Sequence, residues 1–259
     1  DWAIVSCEEV APGDTGPITG SRPGSLFHLC LQPASGSMPD YNVGDLFEWH
    51  GSARVGGEEQ QAFRRDFSIA GLPGDDTLDL IVRRVELPEG AMGLASTALT
   101  SGDTSKPVQG RIRTYANFHQ TAGDGPLLAI AAGSGWGGVR AHVISAIDAQ
   151  RLVWLIFGER GPSSDLAVFA DMRKWEEAGK IKRLDLALSR ANDDAPRYAQ
   201  DCVTENADAI AQFLGADGAV AICGAASMGA EVHEALTRAL SDDWIDRARA
   251  QDRWRSATY

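Results

Sequence analysis

Apolar and polar positions divide the chain into two halves with different periods. Residues 25–32, 78–85 and 110–115 alternate apolar with polar, as strands do when one face is buried and the other is wet. The opening Asp1-Trp-Ala-Ile-Val5, the segment Leu46-Phe-Glu-Trp49 and residues 64–70 also read as strands. Turn-rich stretches, Ala11-Pro-Gly-Asp-Thr-Gly-Pro17 and Leu72-Pro-Gly-Asp-Asp76, separate them. Short strands at this spacing, with one short helical segment among them, predict a small antiparallel barrel.

After Gly123-Asp-Gly125 the period changes. Unbroken apolar runs at 127–132, 152–157, 181–188 and 219–223 alternate with helical stretches near 141–149, near 166–178, up to about 213, and at 227–240. Strands that are apolar on both faces and separated by helices predict a parallel sheet covered on both sides. The expected fold class is therefore β plus α/β. An antiparallel barrel over residues 1–122 is followed by a doubly wound parallel sheet over residues 123–259.

Composition narrows the function classes. The 259 residues suffice for one large domain or two smaller ones. A net charge of −12 argues against a broad nucleic-acid or anionic-membrane surface, so an anionic ligand would need locally placed arginine or lysine. No window approaches about twenty apolar residues, which excludes a transmembrane helix within these residues, and the start reads as a strand rather than a signal peptide. Cys7, Cys30, Cys202 and Cys223 are scattered without metal-ligand spacing, as expected of reduced thiols in the cytoplasm. The five histidines are isolated along the chain, and no His, Cys, Asp or Glu set has the spacing of a metal site.

Candidate chemistry collects at strand ends. Gly133-Ser134-Gly135 breaks the run at 127–132 just before a helix, with Gly137-Gly138 following. Such a turn cradles phosphate on helix N–H groups, and it also serves as a plain tight connection. In an open parallel sheet, ligands sit at the carboxyl ends of the strands. That rule gathers Gly133–Gly135, Gly158-Glu-Arg160, Ser189-Arg190 and Cys223-Gly224 along one edge. Ser189-Arg190 with Arg197, Tyr198 and Gln200 makes a donor set suited to a 2′-phosphate, or else a solvated loop. Cys223 reads equally as an inert buried thiol. In the first half, Arg65 and Phe67 share one strand face, for a phosphate and a flat heterocycle, with Ser68 next to them. Gly93-Leu-Ala-Ser-Thr-Ala-Leu99 is a second candidate phosphate cradle, with Ser96 and Thr97 as hydroxyl donors. Tyr41-Asn-Val-Gly-Asp45 reads as a turn.

In order, these pieces resemble the ferredoxin–NADP reductase superfamily, above all the reductase module of diflavin enzymes of the sulfite reductase flavoprotein type. Arg65-Asp66-Phe67-Ser68 matches the family's flavin motif, and Gly93-Leu94-Ala95-Ser96 with Leu99 matches its flavin-phosphate loop. Gly133-Ser134-Gly135 stands at the nicotinamide nucleotide turn, and Phe157-Gly-Glu-Arg160 at a family strand end. Ser189-Arg190 with Arg197-Tyr198-Ala-Gln200 resembles the 2′-phosphate cluster. Cys223-Gly224 with Met228 resembles the nicotinamide stretch. Arg253-Trp-Arg-Ser-Ala-Thr-Tyr259 resembles the ending whose last aromatic covers the flavin.

The resemblance implies an FAD-containing, NADPH-dependent reductase module, with no metal site. Hydride would pass from NADPH to FAD, and electrons then to a flavodoxin-like, haem or membrane carrier. Ser68, Cys223 and Tyr259 would stand nearest the reacting rings. A stand-alone flavin or ferric reductase, or a non-catalytic nucleotide- or flavin-binding module, are the alternatives. The chain departs from the family in three places: Trp136-Gly-Gly138 for a small or apolar residue followed by Ala-Pro, Ala257 for an aspartate, and Pro196 for a lysine. A flavodoxin-like FMN domain and a helical connecting insert are missing, so the chain would be either a stand-alone reductase or a fragment of a longer polypeptide, and its abrupt start at Asp1 with the family's habit of ending at the aromatic favours a C-terminal fragment. The module would be cytoplasmic, or the soluble part of a larger membrane-tethered protein.

Overall fold

A computed structural model describes residues 1–13, 22–54, 60–87, 90–103, 105–161, 166–191 and 197–259. Part of the turn-rich segment at 11–17, and Pro196, lie outside the described residues. The chain forms two compact units, Asp1–Tyr115 and Ala116–Tyr259.

The first unit contains β1 (Trp2–Ala11), β2 (Arg22–Pro33), β3 (Leu46–Arg54), β4 (Gln60–Ser68), β5 (Leu78–Glu86), the helix α1 (Leu94–Thr100) and β6 (Gln109–Arg113). They make two three-stranded antiparallel sheets, ordered β1-β2-β5 and β4-β3-β6. Period-two alternation sends Leu29 and Leu31 of β2, Leu78, Leu80 and Val82 of β5, and Phe47 and Trp49 of β3 into one core. Single antiparallel bridges, Trp2 with Val108 and Ile69 with Leu80, tie the edges of the two sheets together. The turn before β3 is built by Asp45. Its carboxylate accepts from the Asn42 N–H at 2.9 Å and from the Tyr115 N–H at 2.9 Å. Gly44 supplies the left-handed step at φ +94.

The second unit is a five-stranded parallel sheet, β11-β10-β7-β8-β9, made of β7 (Leu127–Ala132), β8 (Val153–Glu159), β9 (Arg183–Leu188), β10 (Ala219–Gly224) and β11 (Trp254–Thr258). The helices α2 (Trp136–Asp148), α3 (Ala170–Glu177), α4 (Ala199–Glu205), α5 (Ala207–Leu214), α6 (Ala226–Ala239) and α7 (Asp242–Ala250) connect them. β7, β8 and β10 are buried almost throughout, which is why their sequences are unbroken apolar runs. Leu128, Ile130, Ile156, Val220 and Ile222 face the cluster formed with α4, α5, α6 and α7. Trp136, Phe157 and Phe169 pack ring against ring on other ground.

Three elements differ from the sequence expectation. The helix expected to run to about 213 is broken at Asn206 into α4 and α5. The short α7 and the fifth strand β11 are additions. Strand β11 reads poorly as a strand because Trp254 alone of its five residues is buried, as suits a sheet edge. At the opposite ends of the strands from the turn at Gly133, two buried arginines pin loop carbonyls. Arg151 donates to Gly125 O at 2.7 Å, and Arg253 donates to Gly218 O. Among the described residues no helix is long and apolar enough to cross a membrane.

Candidate functional site

The strand order fixes where a ligand would sit in the second unit. From β7 the chain moves outward to β8 and β9, then crosses back to β10 and β11 on the other side of β7. The reversal leaves a crevice at the carboxyl ends of β7 and β10, the place where open α/β sheets bind ligands.

That point is closely built. Gly133 turns the chain at φ +55 after β7, and Gly133–Gly135 form a single 3₁₀ turn leading into α2. A Cβ on Gly135 would collide with the carbonyl oxygen of Cys223, so only glycine lets the turn lie against the end of β10. No side chain caps α2, and its first turn carries no acidic residue. The turn thus offers backbone and a positive helix end with no capping or acidic side chain of α2 in the way.

Tyr259 closes the arrangement from β11. Its ring is largely exposed, at 65%, and its hydroxyl shares a 2.6 Å hydrogen bond with Ser134 Oγ. Its N–H donates to Gly224 O at 3.1 Å, and its main-chain oxygen accepts from the Ala226 N–H at 2.9 Å. The three strand ends therefore bring together Gly133, Ser134, Gly135, Gly224 and Tyr259, with the Met228 side chain against Gly224. Cys223 is fully buried, and alternation along β10 puts it on the face opposite Ile222. Trp136 is only 3% exposed, with its ring 5.7 Å from Phe157 and 6.2 Å from Trp175. Trp136 therefore fills the core beneath α2 and does not line the turn.

The arginine set spreads along the same edge. Arg160 follows β8 and is exposed, with its N–H on Glu159 Oε1 at 2.8 Å. Ser189 follows β9 and donates its N–H to Glu159 O at 3.1 Å, and Arg190 beside it is exposed. Arg197 pairs with Glu205 at 2.6 Å, and Gln200 donates to Glu231 of α6. Tyr198 caps α4, its N–H held by Asp201 Oδ2 at 2.7 Å. Sequence reasoning missed these acidic partners, because an ion pair eight residues apart or on another helix leaves no local pattern.

On the inward face of α2, His142 is fully buried. Its Nε2–H donates to Phe118 O at 3.1 Å, while Nδ1 lacks a partner among the described residues. Burial, against the help of that hydrogen bond, pushes its pKa down to about 4.

In the first unit, Arg65, Phe67 and Ser68 lie on β4. Phe67 packs on the core edge, and Arg65 is exposed with a guanidinium N–H on Arg64 O. Asp66 turns to the other face and pairs with Arg113 at 2.7 Å. There the outward side chains of β3, β4 and β6 form a charged row. In it the His50 hydrogen bond, then that of Arg111, hold Glu48 down at about 2. At α1, Ser96 is buried. Its hydroxyl donates to Gly93 O at 3.1 Å and accepts from the Val85 N–H at 3.3 Å, and the Thr97 hydroxyl is enclosed. At this loop Leu94 is exposed and Ala95 is buried, and no side chain caps the helix at Gly93. What α1 offers outward is backbone.

No protein-family model matches the chain. It is similar to sulfite reductase [NADPH] flavoprotein alpha-components. That of Thiocapsa roseopersicina is 36% identical over 117 residues, covering 44% of this chain and 22% of the relative. That of Aliivibrio fischeri is 28% identical over 184 residues, covering 66% and 30%, and that of Vibrio cholerae 26% over 186 residues, again covering 66% and 30%. The chain thus spans under a third of the length of these relatives. The resemblance carried by its motifs is to a sulfite reductase flavoprotein-like module.

Proposed function

We propose that this chain, similar over up to two thirds of its length to sulfite reductase flavoproteins, is an FAD-containing, NADPH-dependent oxidoreductase module of the ferredoxin–NADP reductase type. The observation that carries the reading is the switch point. A glycine turn, an uncapped helix and an exposed tyrosine bonded to the turn converge where a nucleotide pyrophosphate would bind. Bound there, NADPH and FAD would supply hydride transfer from the one to the other and the onward passage of electrons to a flavodoxin-like, haem or other redox partner.

In this reading the second unit holds NADPH. Gly133, Ser134 and Gly135 cradle the pyrophosphate, and the fit rests on the start of α2, which no side chain caps and whose first turn carries no acidic residue. Arg160, Ser189, Arg190, Arg197, Tyr198 and Gln200 take the ribose-phosphate end, with Arg197 exchanging Glu205 for the 2′-phosphate. Cys223 and Gly224, backed by Met228, limit the depth of the nicotinamide pocket. Tyr259 gives up Ser134 when nucleotide binds.

The first unit holds FAD. Its two sheets, bridged at both edges, are read as a six-stranded barrel. Arg65 steadies the flavin phosphates, Phe67 offers an apolar platform, Ser68 hydrogen-bonds the ring edge, and Asp66 holds β4 through Arg113. Gly93, Leu94, Ala95 and Ser96 present the α1 backbone, with Ser96 bracing the loop from inside.

The test is to mix the FAD-loaded chain anaerobically with NADPH and then with NADH while following flavin absorbance. Rapid bleaching by NADPH, slow bleaching by NADH, and a preference that falls about tenfold in Arg190→Ala are expected. A chain that binds no flavin, or binds it and is reduced by neither nucleotide, overturns the reading.

A further inference from the structure

Strands β2 and β5 carry a cluster that sequence spacing does not reveal. Cys30 lies directly opposite Asp79 in the β2–β5 register, and His28 stands two residues away on the same face of β2. Leu29 and Leu31 alternate with them into the core, so His28, Cys30 and Asp79 all project from the other face of the sheet. His28 Nε2 is 3.1 Å from Asp79 Oδ2, and with Cys30 Sγ the three donor atoms lie within 4.8 Å of one another. The His28 and Asp79 side chains are 27% and 14% exposed. They are shielded enough to be held in place and open enough to be reached.

We propose that His28, Cys30 and Asp79 form a binding site for a divalent transition metal of the zinc class. An imidazole nitrogen, a thiolate sulfur and a carboxylate oxygen are the three donor types zinc takes. Tetrahedral zinc, with bonds of about 2.0–2.3 Å, needs donors about 3.3–3.8 Å apart. The three donors meet that requirement with side-chain adjustment alone, because the antiparallel register already fixes their backbones. Soft sulfur beside nitrogen selects zinc, cobalt or ferrous iron over magnesium or calcium.

An outer shell is in place. The Thr77 hydroxyl donates to Asp79 Oδ1 at 3.0 Å, Oδ2 faces His28 Nε2 in the contact a cation would bridge, and the Ser6 and Thr77 hydroxyls both approach the Cys30 sulfur. Ser6 faces Cys30 and Glu8 faces His28 across the β1–β2 register. A fourth position toward solvent is left for water, the pattern of an open site rather than a closed structural one. Among the described residues this is the one group of three such donors drawn so close.

The test uses the full chain, freed of metal by chelation. Zn²⁺ is titrated in competition with a chromophoric chelator, and Co²⁺ serves as the spectroscopic probe. One equivalent of Zn²⁺ should bind, and the Co²⁺ form should show a thiolate-to-metal charge-transfer band. Cys30→Ser, nearly isosteric and safe for the fold, should abolish that band and weaken Zn²⁺ binding at least about tenfold, as should His28→Gln. Cys7→Ser, which changes a thiol packed on the core side, should do neither. No stoichiometric binding, a charge-transfer band that survives Cys30→Ser, or equal affinity in His28→Gln overturns the site.

Discussion

Each unit contains a glycine turn that runs into a helix with small hydroxyl residues at its start, and the two look alike in sequence. At Gly133–Gly135 the hydroxyl of Ser134 reaches outward and meets Tyr259, while Gly135 lies against the carbonyl of Cys223. At Gly93 the hydroxyl of Ser96 folds inward onto Gly93 O and Val85 N–H and closes its own loop. One glycine is required by contact with another strand, the other only by convenience, since Gly93 has φ −62. The same letters thus make an outward-facing cradle in one unit and a self-satisfied brace in the other. What separates them is the neighbouring backbone.

The largest expected effect tests that contrast directly. Gly135→Ala must push apart the turn and the end of β10, and should cost at least about 3 kcal/mol in chemical denaturation. In Gly93→Ala the new methyl meets Ser96 Oγ at 3.0 Å in an allowed conformation, and the cost should stay below about 1 kcal/mol. Equal costs would erase the distinction.

Acid should also separate the two units. His142 on α2 has a folded pKa of about 4, below its ordinary 6.5, so the unfolded chain binds the proton first as pH falls. Its stabilising effect is whole above pH 6.5 and is lost on the way down to 4. At about 1.4 kcal/mol per pH unit the loss comes to about 3 kcal/mol. Glu48 obeys the same sign in a lower window, its contribution present above its ordinary 4.5 and lost as pH falls through about 2. Denaturation midpoints followed by tryptophan emission should fall between pH 6.5 and 4, and His142→Gln, which keeps a donor for Phe118 O, should flatten that slope. An unchanged slope in the variant would leave α2 without its acid sensitivity.

The smallest effect sharpens the outward cradle. Removing the Tyr259 hydroxyl frees Ser134 and takes away about 1 kcal/mol of competition, so Tyr259→Phe should bind NADPH about fivefold more tightly in equilibrium titration. Weaker binding would mean that the tyrosine hydroxyl assists the nucleotide instead of excluding it.

The legible parts of the chain were those whose burial is uniform. Strands β7, β8 and β10 are covered on both faces, so their sequences are continuous apolar runs, and their ends named the turn at Gly133 and the stretch at Cys223. Strand β11 buries Trp254 but leaves Arg255 to Thr258 partly or fully exposed, so that Arg255 and Ser256 read as a tail. Trp136 looked like an altered cradle residue because it neighbours the turn in sequence, whereas the first turn of a helix already points side chains back into the core. Register was invisible. Nothing in the spacing of His28, Cys30 and Asp79, or of Arg113 and Asp66, announces that antiparallel pairing sets them side by side.

The bond between Ser134 and Tyr259 joins residues 125 positions apart. A contact that closes so long a loop is entropically expensive to make before the intervening strands and helices are in place. During synthesis, β7 and its glycine turn emerge well before β11, so the crevice stands open-sided until the late strand docks beside β10. A polypeptide halted before residue 254 would present the turn without its tyrosine and the sheet with β10 bare at its rim, an unpaired edge of the kind that invites aggregation.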